Sequence, residues 1–186
     1  MIVLFLGFGG LLTVFAIAGG VRPGPRPTLL FATTAAGAIV LALAAVWGAF
    51  GRGRSMLGRS TWRLVALSLT IPAMLFAWKL GWSTRFELVE WWPGRPGLRC
   101  LGLSLAMGVT PLAAFAFSRR RSDPVHPEAL GLALGVAAGA CAWSLVDLWC
   151  PVAHPAHLLT GHVLPLVLLA AAGWALGRTV IAVRRR

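Results

Sequence analysis

Apolar runs about twenty residues long, parted by short basic or proline-rich loops, decide what this chain can become. Six are present, at 2–20, 29–50, 62–80, 100–117, 128–149 and 162–183. A helix rises about 1.5 Å per residue, so about 20 apolar residues cross the roughly 30 Å hydrocarbon core of a bilayer. The runs use most of the 186 residues and leave no stretch for a sizeable domain outside a membrane. Hydrophobic residues make up 58% of the chain and charged ones 12%, against about 25% charged in a soluble domain. That balance excludes a one-domain soluble enzyme, and also disorder, which needs low hydrophobicity. The reading is all-α: a polytopic transmembrane bundle of six helices, one domain over residues 1–186, both termini cytoplasmic. The first run could be a signal peptide, but Met1 is followed directly by Ile2-Val3-Leu4 with no basic start, so it is read as a retained span.

Charge orients the bundle. Seventeen Lys and Arg against five Asp and Glu give a net charge of +12. In a soluble protein that would point to nucleic acid; between membrane spans it marks loops that stay in the cytoplasm, and no direct nucleic-acid contact is expected. With both termini inside, Arg52, Arg54, Arg59, Arg63, Arg119, Arg120, Arg121, Arg178 and Arg184 to Arg186 lie on the cytoplasmic side. Arg22, Arg26, Lys79, Arg85, Arg95 and Arg99 lie outside, partly offset by Glu87 and Glu90. Trp47 and Trp62 then fall at the inner boundary, and Trp78, Trp82, Trp91, Trp92 and Trp149 at the outer one, where indoles anchor to headgroups. The expected partner is the lipid bilayer, and the expected location a bacterial inner membrane.

The fifth run carries Gly131, Gly135 and Gly139. Glycine at four-residue spacing lets another helix backbone approach closely, and a partner within the chain is expected over a second subunit. The same row continues to Trp143 and Asp147, the one acid well inside a run. An intramembrane carboxylate is a functional candidate by default, yet a structural bond to a neighbouring helix is the favoured role here. Pro72, Pro111 and Pro165 interrupt runs and remove backbone donors there.

Chemistry concentrates near the outer boundary. Cys100 opens the fourth run and Cys150 closes the fifth, so both face an oxidising compartment and can act as a disulfide or thiol sensor. Cys141 is read as a buried apolar thiol. Cys150, His154, His157 and His162 crowd one short segment, a thiolate and imidazole set that suits zinc or copper. A kinked outer turn with interfacial histidines is the alternative. His126 lies on the inner side, out of reach. No nucleophile elbow, zinc-protease motif or P-loop is present, so no catalytic function is expected.

From Arg99 onward one order of features stands out. Cys100-Leu-Gly-Leu-Ser opens a helix containing Pro111, followed by Arg119-Arg120-Arg121 and Asp123-Pro124-Val125-His126-Pro127. The glycine-rich helix then ends in Trp149-Cys150-Pro151, and a final run carries Gly173 and Gly177-Arg178. This order resembles the NrsF-type negative regulators of sigma factors, six-span bacterial inner-membrane proteins with two periplasmic cysteines. The resemblance implies an anti-sigma factor that holds an extracytoplasmic-function sigma factor at the cytoplasmic face. Oxidising or metal stress at Cys100 and Cys150 would release it. Where the family often has aromatic residues after the second cysteine, this chain has His154, Pro155, His157 and His162. The family's cytoplasmic N-terminal segment is also missing ahead of the first run, and a start codon placed too late is the expected reason. Two other functions fit the residues: a small transporter or metal-handling protein using Cys150 and the histidines, or an accessory subunit packing through its glycines.

Overall fold

The computed structural model describes residues 2–22, 26–51, 60–85, 97–122 and 125–183. Among them the chain is all-helical, with six helices in chain order: α1 (Ile2–Ile17), α2 (Thr28–Phe50), α3 (Thr61–Arg85), α4 (Leu98–Ser118), α5 (Pro127–Trp149) and α6 (Pro155–Ile181). Helices α2 to α6 are long and apolar enough to cross a membrane. Helix α1 is apolar but only 16 residues long, about 24 Å, and stops short of the expected residue 20. Gly19 and Gly20 end it at φ +106° and +64°, left-handed values that glycine adopts at least cost.

Two other boundaries differ from the hydrophobic pattern. Helix α3 continues to Arg85 rather than stopping at Leu80, which puts Ser83 inside it. Helix α6 starts at Pro155, seven residues before His162. His154 caps that start, its Nδ1 accepting a hydrogen bond from the Ala156 N–H, and proline suits the first helical turn because it has no N–H to leave unpaired.

Helix α5 is the axis of the bundle. It is apolar on every side, and α2, α3, α4 and α6 all pack on it, as a helix without a polar face requires. Its glycine row meets α6 backbone to backbone. Gly131 lies against the Gly173 carbonyl and Gly173 against that of Gly131, while Gly135 lies against the Leu169 carbonyl and Ala170. Any side chain at these positions would drive the two helices apart. Helix α1 packs mainly on α4. The outward faces carry Phe5, Leu6, Val40, Leu43, Leu69 and Val167, all exposed, the surface expected of a bundle solvated by lipid.

Each proline inside a helix leaves one carbonyl without its usual donor. For Pro165 that carbonyl belongs to Gly161, and Ser104 of α4 donates its hydroxyl to it at 3.4 Å. The helix changes its winding at the same place. Over Leu159–Val163 it forms a π-turn, closed by the Leu164 N–H bonding five residues back to Leu159. A second π-turn spans Gly177–Ile181, closed from Ala182 to Gly177 at 3.0 Å.

Candidate functional site

The first π-turn builds the site. In a regular α-helix each residue advances about 100°, so His157 and His162, five apart, would point about 140° away from each other. A π-turn bonds five residues back and so takes one extra residue into the turn, and their rings instead lie 5.7 Å apart, centroid to centroid. Cys150 reaches the same place from the end of α5, where its N–H bonds to the Val146 carbonyl. Cys100 arrives from the first turn of α4, which begins at Gly97 with φ +87°. Gly97 has no room for a side chain: a Cβ there would meet the Thr160 hydroxyl and the Gly161 N–H. That close approach seats α4 in the π-turn and brings Cys100 beside Gly161.

Cys100, Cys150, His157 and His162 therefore form one buried group whose ligand atoms all lie within 4.8 Å of one another. None is more than 3% exposed. The Cys150 sulfur lies 3.2 Å from His157 Nε2. Hydrogen bonding from Cys100, and then from His157, holds the Cys150 thiol well below its ordinary pKa, although burial pushes the other way. His162 lies tilted against Trp143, centroids 5.1 Å apart; it too helps hold the Cys150 thiol down, yet neither of its buried ring nitrogens makes a hydrogen bond of full geometry. Such orphans cost about 1–3 kcal/mol each and call for an explanation such as an ion.

The donor set fits a metal. Two sulfurs and two imidazole nitrogens are the ligands of a closed tetrahedral zinc site, and soft enough for copper(I). With metal–ligand bonds of 2.0–2.3 Å, the edge of that tetrahedron is about 3.5 Å, so closure asks about 1 Å of movement from the most distant atoms.

This grouping differs from the one drawn on the sequence. The sequence pattern groups Cys100 and Cys150 as a redox pair, and Cys150, His154, His157 and His162 as a separate metal set. The structure brings Cys100 into the histidine group and leaves His154 out, turned to cap its own helix. Cys141 is half-buried, below the group on α5. His126 sits at the opposite end, preceding α5.

A second polar group adjoins the first. Asp147, one turn before Cys150, pairs with Lys79 of α3 at 2.5 Å, and the two side chains are 1% and 3% exposed. Arg26, also buried, donates from Nη1 to the Asp147 backbone carbonyl at 3.0 Å. The charge count places Lys79 at the outer end of the third run, without a partner. The usable signal was that Lys79 and Asp147 are opposite charges near the same end of two long apolar runs.

At the other end, Arg119 donates to the Phe50 carbonyl and Arg120 lies over the Phe117 ring. Arg121 has φ +50°. Its N–H bonds to the Val180 carbonyl at 3.0 Å, and the Ser122 N–H to that of Ile181 at 3.1 Å. Arg52, Arg54 and Arg59 lie outside the described residues. Gly131, Gly135 and Gly139 all face α6, Gly139 lying against Leu166.

The class these features define is an all-helical bundle, lipid-like on its outside, with a closed Cys2His2 group at one end and a basic loop at the other. The chain belongs to the NrsF family, negative regulator of sigma F, which matches residues 1–182. That family implies negative regulation of a sigma factor. No curated protein and no solved structure matches the chain.

Proposed function

We propose that this chain is an anti-sigma regulator of a bacterial inner membrane that senses metal through Cys100, Cys150, His157 and His162. It holds an extracytoplasmic-function sigma factor at the cytoplasmic face, with Arg119, Arg120 and Arg121 on that side, and zinc or copper(I) binding at the periplasmic end releases it. The observation that carries the metal reading is the buried His162 ring with two unpartnered nitrogens, facing two thiols and a second imidazole. An apolar thiol pair would need no such ring. Binding would displace the thiol protons to solvent, so affinity rises with pH.

A second reading uses the same thiols without metal. A peroxide would take two electrons and two protons from Cys100 and Cys150, leaving a disulfide and two waters. The depressed pKa of the Cys150 thiol supports this reading, since the thiolate is the reactive form.

The test is a reporter driven by the cognate sigma factor, in cells given zinc, copper or hydrogen peroxide. The metal reading predicts that Cys100→Ser, Cys150→Ser, His157→Ala and His162→Ala all abolish induction by metal, while His154→Ala keeps it. A response that needs both cysteines but survives both histidine substitutions moves the function to thiol oxidation. A response untouched by any of the four ends the sensor role.

A further inference from the structure

The two π-turns of α6 sit at its two ends, and each has a separate structural consequence. The first aligns His157 with His162 at the buried group. The second exposes carbonyls that hold the loop between α4 and α5: Val180 accepts from Arg121 and Ile181 from Ser122. Between them α6 runs along the glycine face of α5 with backbone in contact. At Gly131, Gly135 and Gly173 backbone meets backbone with no side chain set between the helices, so packing rather than hydrogen bonds joins α6 to α5 there.

Resting on the metal reading above, we propose that α6 is the moving part of this protein: an ion bound by His157 and His162 holds the first π-turn, and loss of the ion lets it rewind as α-helix, shifting the rest of α6 along α5 and releasing the Arg121–Ser122 loop. Three features make the turn a two-state element. A π-turn is less favourable than α-helix and occurs mainly where function holds it. Pro165 removes the N–H that an α-helical turn would offer to the Gly161 carbonyl, which narrows the gap between the two windings. The Ser104 hydroxyl takes that carbonyl instead, and Gly161 admits α4 close enough to seat Cys100 there.

The far end is built to feel the change. A shift of one residue in winding corresponds to about 100° of rotation and 1.5 Å of travel, more than a hydrogen bond of 3.0 Å tolerates. Arg121 holds a left-handed backbone, φ +50°, a conformation that costs a non-glycine residue of order 1 kcal/mol and persists only when its surroundings impose it. Its hydrogen bond to Val180 is one of the contacts that accompany it here. Released from α6, the loop has reason to refold, and it carries Arg119, Arg120 and Arg121 with it.

The experiment is amide hydrogen exchange across 119–122 on the full chain in detergent micelles, loaded with Zn2+ or stripped by chelator, with bound metal measured on the same samples. The Arg121 and Ser122 amides should exchange at least about tenfold faster when the ion is removed. Pro165→Ala restores the missing N–H and favours α-helix, so it should weaken Zn2+ binding about tenfold, the worth of one backbone hydrogen bond. It should also leave the 119–122 amides fast at Zn2+ levels that slow them in the wild type. Zinc bound with no change in exchange overturns this proposal and leaves the metal site standing. A chain that binds neither Zn2+ nor Cu+ overturns both.

Discussion

Lys79 and Asp147 show how much one pair of side chains settles in this molecule. Each is a charge that an apolar surround would expel; together they tie α3 to α5 at the level of the cysteines. Removing one partner of a buried pair costs about 3–5 kcal/mol because the other charge is stranded, while replacing both with apolar residues is close to neutral. Lys79→Met and Asp147→Leu should therefore each lower stability by about that amount, and the double variant should recover most of the loss. Thermal unfolding in micelles reads this directly. Two losses that simply add would show that the pair is not coupled. The partnership was within reach of the sequence, since two isolated opposite charges in apolar runs seek each other. What the pattern did not yield was the length of α3, because Gly81, Ser83 and Thr84 weaken its hydropathy just where the helix goes on.

At the scale of elements, the contact between α5 and α6 is the tightest in the fold. A Cβ at Gly135 would collide with the Leu169 carbonyl and Ala170, whereas one at Gly102 of α4 meets nothing within 4 Å. Gly135→Ala should destabilise the protein by about 1–3 kcal/mol, the usual cost of overpacking. Gly102→Ala should stabilise it by about 0.5–1 kcal/mol, since alanine is the better helix former. Equal effects in the same unfolding assay would refute the close packing. The glycine row was plain in the sequence at four-residue spacing. Its partner was less so, because α6 answers with Gly173 and Gly177 inside a run that otherwise reads as ordinary leucine and alanine. The π-turn was hidden for a physical reason: hydrophobic periodicity assumes 3.6 residues per turn, and by that measure His157 and His162 diverge. Two histidines five apart, followed by Gly and Pro around 161–165, were the available sign.

Across the whole molecule, the six helices, five of them long and apolar enough to cross a membrane, were legible because length and polarity alone mark such a run. The site was legible only in part. Cys150, His157 and His162 stand near each other in sequence, but Cys100 is fifty residues away, and its arrival depends on Gly97 letting α4 settle against the π-turn. His154 looked equivalent to the other histidines, and only the helix start at Pro155 gives it a different task. The fold so joins two residue sets that the sequence kept apart, a thiol pair and a histidine segment, into one closed group beneath Trp143. That joining is the centre of the functional account. X-ray absorption at the zinc K-edge, on purified chain in micelles loaded with Zn2+, tests it most directly. The account predicts one ion per chain with two sulfurs at about 2.3 Å and two nitrogens at about 2.0–2.1 Å. A first shell of oxygen and nitrogen alone, or no retained ion, would contradict it.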